Sequence, residues 1–152
     1  MAKKATKKAV EQLQKIFDFL GEFGGTIETK QPNNWWTLDL EVEEADDVSK
    51  DIMIGVCKSL EGNIIYDPMF TLTLKMDGDK IVEAEIHNCI NQNVFGTTEI
   101  DSDDMIHGSG RVEKSPKGLR TMFSGFMDNM TEIGPYLSDP SKVTKYDKTL
   151  SD

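Results

Sequence analysis

Residues 34–44, Asn-Trp-Trp-Thr-Leu-Asp-Leu-Glu-Val-Glu-Glu, alternate between apolar and polar side chains from Trp36 onward. A period of two belongs to a strand with one buried and one wet face, and it cannot line up as a helical stripe. Trp36, Leu38, Leu40 and Val42 fall on the apolar face, with Thr37, Asp39, Glu41 and Glu43 opposite. Any fold this chain adopts must therefore bury one side of a sheet and leave an acidic side in solvent.

The same period returns three times. Ile52, Ile54 and Val56 run up to Cys57, and Phe70, Leu72, Leu74 and Met76 alternate with Thr71, Thr73 and Lys75. Val82, Ala84, Ile86, Asn88 and Ile90 then alternate with Glu83, Glu85, His87 and Cys89. Asp77-Gly78 joins the last two runs as a tight hairpin turn, whose central residues need positive φ. Asp67-Pro68 favours an extended backbone ahead of Phe70. Residues 93–100 supply one more strand, and DSDDMIHGSG, 101–110, reads as an acidic, glycine-containing loop.

Helical spacing appears at both ends. Val10, Leu13, Ile16, Phe17 and Leu20 form one stripe between about Lys7 and Phe23, with Gly24-Gly25 as the stop. Leu119, Met122, Phe123, Phe126, Met127 and Met130 form another from about Lys117 to Met130 or Ile133, starting after Ser115-Pro116 and stopped by Gly134-Pro135. Helix, strands, helix predicts an α+β domain: an antiparallel meander sheet of about five strands, covered on one face by the N-terminal and C-terminal helices. Residues 1–137 make that single domain, and 138–152 read as a polar, flexible tail.

A chain of 152 residues can bury a core without metals or disulfides. No apolar run is long enough to span a bilayer, and the basic start lacks the apolar stretch of a signal peptide. The expectation is a cytoplasmic protein away from the membrane, with Cys57 and Cys89 as free thiols. The formal charge is −10. Beyond residue 11 the chain carries 13 basic and 26 acidic residues, a balance that repels nucleic-acid phosphate and favours a basic protein partner.

No nucleophile elbow, phosphate-binding glycine loop or dinucleotide fingerprint occurs. His87-x-Cys89 is a weak metal signal, since zinc sites need three or four ligands. Asp101, Asp103, Asp104 and His107 are the better candidates for an enzyme, able to hold a divalent cation or move a proton. A solvated loop explains them as well. Trp35 falls on the outer face, where an aromatic side chain suits a partner contact.

Glu61, Gly62 and Asn63, running to Asp67, Pro68 and Phe70, resemble a motif of a small bacterial family found on plasmids, phages and conjugative elements. Its members carry a Gly-Asp-Leu-Met-x-Asp-Pro-like run entering a strand, and Asn63 stands where the family has Asp. The resemblance covers about residues 34–90. It implies a one-domain accessory protein with no assigned activity and no catalytic residue.

The reading these observations favour is a non-enzymatic protein-binding module without cofactor, acting through Trp35, Asp39, Glu41, Glu43, Glu83 and Glu85. The alternatives are a metal-dependent enzyme built on the Asp101–His107 loop and a nucleic-acid mimic that inhibits a DNA- or RNA-binding protein. A homodimer through a sheet edge or Trp35 is a further possibility for the partner.

Overall fold

The computed structural model describes residues 3–31, 34–60, 63–93, 96–130 and 143–150, with side chains omitted at 29–31, 34–36, 59–60 and 63. The first elements are β1 (Lys3–Lys4), α1 (Lys7–Leu20), β2 (Gly24–Gln31), β3 (Asn34–Ala45) and β4 (Ser49–Leu60). A long hairpin follows, β5 (Asn63–Asp77) and β6 (Lys80–Asn93), then β7 (Gly96–Ile100), β8 (Met105–Gly108) and β9 (Arg111–Lys114). α2 (Leu119–Met130) and β10 (Val143–Lys145) complete the described chain. All ten strands join one antiparallel sheet in the order β10-β2-β3-β4-β5-β6-β7-β8-β9, with β1 paired to β6 beside β7.

This overturns the expected five-stranded α+β domain. The described residues are mostly strand, and the sheet is twice as wide as the alternation announces. The additional strands are short or polar. β2 holds a single buried apolar residue, Ile27, among the residues whose side chains are described, and β9 is exposed at all four positions. Gly24-Gly25 opens β2 rather than stopping α1. Gly21, at φ 98°, is the cap, and its N–H donates to Phe17 O at 2.7 Å. The Thr6 hydroxyl closes the other end by accepting from Ala9 N.

The core lies on one face of the sheet, where both helical stripes and the inward residues of β2–β7 meet. Leu38, Leu40, Ile54, Leu72, Leu74 and Ile86 are fully buried, each such side chain contributing about 1.5–3 kcal/mol. Phe70 on β5 holds α2 in place, its ring 5.1 Å from Phe123 and 5.2 Å from Phe126. Of the methionines of α2, Met127 and Met130 are core and Met122 packs half-buried against it.

Bulges reset the alternation twice in β6. Ile81, not Val82, pairs with Met76, and Leu72 pairs with Ile86 while Thr71 pairs with Asn88. Each extra residue flips the strand's phase. Val82, expected in the core, is 56% exposed, and Cys89, expected beside His87, is fully buried. Cys57 lies on the opposite face, opposite Thr37, so the two thiols remain free.

Candidate functional site

The other face of the sheet carries the polar half of every strand, and its unusual point is Asp39. The register puts Asp39 opposite Gly55 on β4, which faces Met69 on β5. A Cβ at Gly55 would stand 2.6 Å from Pro68 O and 2.9 Å from Met69 Cα, so only glycine lets β4 and β5 close here. β5 bulges at Asp67-Pro68, leaving Tyr66 opposite Cys57. Without the extra residue Tyr66 would point into the core. With it, the phenol shares the face of Asp39 and donates to Oδ2 at 3.4 Å.

A second phenol arrives from the far end of the chain. Tyr146, just beyond β10, donates to Asp39 Oδ1 at 2.8 Å. Asp39 is thereby 7% exposed, a buried carboxyl rather than the solvent-facing one its strand phase predicts. Burial pushes its pKa up, while hydrogen bonds from Tyr146, Glu41 and Tyr66 act against that rise.

Glu41 sits two residues along on the same face, half-buried. Burial, followed by repulsion from Asp39, raises its pKa to about 7. When protonated Glu41 donates toward Asp39, and this hydrogen bond adds to the rise of its pKa. Burial and the Asp39 charge raise Tyr66 to about 12 and hold Tyr146 above the usual phenol range. The same two causes raise the Cys57 thiol. Beside this group lies an open cleft lined by Glu41, Val42 and the segment from Tyr146 to Leu150. Among the described residues no lysine or arginine forms an ion pair with Asp39 or Glu41.

The remaining expected residues are divided. Glu43 adds to the repulsion on Glu41 and belongs with Asp39. Glu83 instead pairs with Lys4 at 2.9 Å, and Glu85 lies opposite the same lysine in the β1–β6 register. β1 therefore brings one lysine to two glutamates at that end of the acidic face. The Trp35 and Trp36 side chains lie outside the described residues.

Between these ends the face is tied across its strands. Thr73 donates to Asp51 at 2.7 Å and meets His87 Nε2 at 2.6 Å. Thr71 donates to Asn88, which donates to Glu99. The order His–Thr–Asp is not that of an activated nucleophile, in which the imidazole stands between hydroxyl and carboxylate. Here the hydroxyl proton is committed to Asp51.

The Asp101–His107 segment is a hairpin, β7–β8, rather than a loop. Asp101 accepts from Asp103 N and Met105 N and pairs with His107 Nε2 at 2.5 Å. Asp104 turns toward the core side, accepting from Leu119 N at the start of α2 and pairing with Lys3 at 2.9 Å. These carboxylates are occupied by a turn, a helix cap and an ion pair. Among the described residues no three His, Cys, Asp or Glu side chains come together to hold an ion. A cationic cleft with Lys3, Lys4, Lys117 and Arg120 lies nearby, and Asp104 reaches into it as the helix cap.

Tyr66 and Tyr146 are beyond sequence reasoning. One depends on a bulge, and the other lies 107 residues from its acceptor. The chain matches no family profile, no curated protein and no solved structure. No helix among the described residues is long and apolar enough to cross a membrane.

Proposed function

We propose that this protein is a non-enzymatic binding module that takes a basic segment of a partner protein on the Asp39–Glu41–Glu43 part of its sheet. The observation that carries this reading is the crowding of Asp39 and Glu41 without an ion-pairing lysine or arginine among the described residues. Carboxyls whose pKa is raised by burial and by each other, beside a cleft, are candidates for a functional site, and a cation placed there would stabilise their charged form. A partner's Lys or Arg supplies that cation, and since it favours the ionised carboxyls, binding strengthens at higher pH. The arrangement does not favour catalysis, since among the described residues no nucleophile–base pair converges on the two carboxyls.

The test is fluorescence anisotropy of a labelled Lys/Arg-rich peptide at low salt and pH 8. Binding should fall when Glu41 and Glu43 are both replaced by Gln, weaken at pH 6 and decline with salt. Equal binding by wild type and the double variant would sink the assignment of this face.

A further inference from the structure

Beyond α2, residues 143–150 are a short strand, Val143–Lys145, followed by bends, and lie against the acidic part of the sheet with a net charge of +1. Residues 143–150, Val-Thr-Lys-Tyr-Asp-Lys-Thr-Leu, carry two lysines and one aspartate. β10 pairs with β2 through Val143↔Ile27, Thr144↔Thr26 and Lys145↔Gly25. Tyr146 N then donates to Gly24 O at 3.0 Å, and Leu150 N to Val42 O at 2.9 Å. Any Cβ at Gly25 would collide with Thr144 O, so the glycine makes room for this strand. Lys148 lines the same cleft as Glu41.

We propose that Val143–Leu150 is an autoinhibitory strap, an internal ligand on the β2 edge and the Asp39–Glu41 carboxyls, which the partner's extended basic segment displaces by pairing in the same register. This rests on the basic-partner reading above and specifies the mode of binding. The partner adds a strand to β2, as extended peptides do at exposed sheet edges. Its side chains follow the strap's chemistry: β-branched residues along β2, a phenol reaching Asp39 and lysines beside Glu41. Three register pairs, the Tyr146 and Leu150 amides, the Tyr146 phenol and Val143 against the core hold the strap at the sheet's edge, a unit small enough to open while the rest of the sheet stays closed. The strap holds the edge against non-specific pairing and yields it to a longer strand.

A labelled peptide of residues 143–150, read by anisotropy against the full chain, tests the strap. Against Tyr146→Phe, which lacks the internal phenol, this peptide should bind about tenfold more tightly than against wild type, the worth of a hydrogen bond to a charged group. A peptide with Phe in place of its own Tyr should show no such gain. On the unmodified chain, saturating peptide should release the Tyr146 and Leu150 amides to hydrogen exchange while β3 and β4 stay protected.

Outcomes separate the two proposals. If both peptides and a scrambled one of equal charge bind wild type and Tyr146→Phe alike, and Glu41→Gln with Glu43→Gln abolishes all of it, the strap is overturned and the acidic face stands. Unchanged amide protection under saturating peptide also overturns the strap. If no basic peptide binds any form of the chain, both proposals fall.

Discussion

Replacing Glu41 with Gln should make the protein more stable at alkaline pH, with an advantage that shrinks as the pH falls toward the ordinary carboxyl value. The folded chain raises this carboxyl from its ordinary value of 4.5 to about 7. Between those values the folded state binds more protons than the unfolded one, so this group makes stability fall as pH rises through the window. At about 1.36 kcal/mol per pH unit the full effect at pH 8 would be at most about 3 kcal/mol. Glu41 is only half-buried, and solvent screening brings the expectation to about 1–2 kcal/mol. Gln keeps the shape and can still donate to Asp39, so the comparison isolates the charge. Urea unfolding of both proteins at pH 5, 6, 7 and 8 is the assay. The difference in favour of Gln should be smallest at pH 5, rise steeply to pH 7 and level off by pH 8. Asp46, Asp101, Asp104 and Asp128 have lowered pKa values and lose their stabilisation as pH falls, but they contribute equally to both proteins. A pH-independent difference, or a less stable variant at pH 8, would refute the account of a carboxyl pair strained by its own charge.

Tyr146→Phe should cost about 1–2 kcal/mol in a thermal or urea melt, because Asp39 keeps its burial and loses its shorter hydrogen bond. Gly55→Ala should destabilise by about 1–3 kcal/mol or more and draw Tyr66 away from Asp39, since the added carbon meets the backbone of Pro68 and Met69; unchanged Tyr66 fluorescence and stability would contradict this. Thiol alkylation at pH 8 should modify half-buried Cys57 slowly and Cys89, buried with its pKa raised to about 12, only on unfolding. Equal rates for the two thiols in the native state would contradict the opposite-face assignment.

The strands legible in the sequence are those with several buried residues in phase. β3, β4 and β5 each bury three or more alternating apolar side chains, and that repetition is what periodicity detects. β8, β9 and β10 join the sheet mainly through backbone hydrogen bonds, which any sequence without proline can make, so no side-chain period announces them. In β6 the period is present but broken. The bulges at Val82 and His87 invert its phase, so the sequence reveals the strand and mixes its faces. The site shows the same division. Asp39, Glu41 and Glu43 are visible as carboxylates on one face, while the two phenols that close over Asp39 are Tyr66 and Tyr146. Neither partner is within reach along the chain. The Asp101–His107 cluster shows the converse, since proximity in sequence suggests a shared site and the hairpin sends Asp101 and Asp104 to different tasks.

From β2 to β9, neighbours in the sheet are neighbours in the chain. Each of those pairings closes a short loop, whereas β10 on β2 and β1 on β6 bring together segments more than 80 residues apart. Loop-closure entropy makes the meander the kinetically accessible part and leaves the two ends to be added last. Substitutions in the strap therefore act on the rate of unfolding and hardly on the rate of folding. A chain that has just left the ribosome would expose Asp39 and the β2 edge for as long as the strap is still to dock, which gives a waiting partner its easiest access during synthesis.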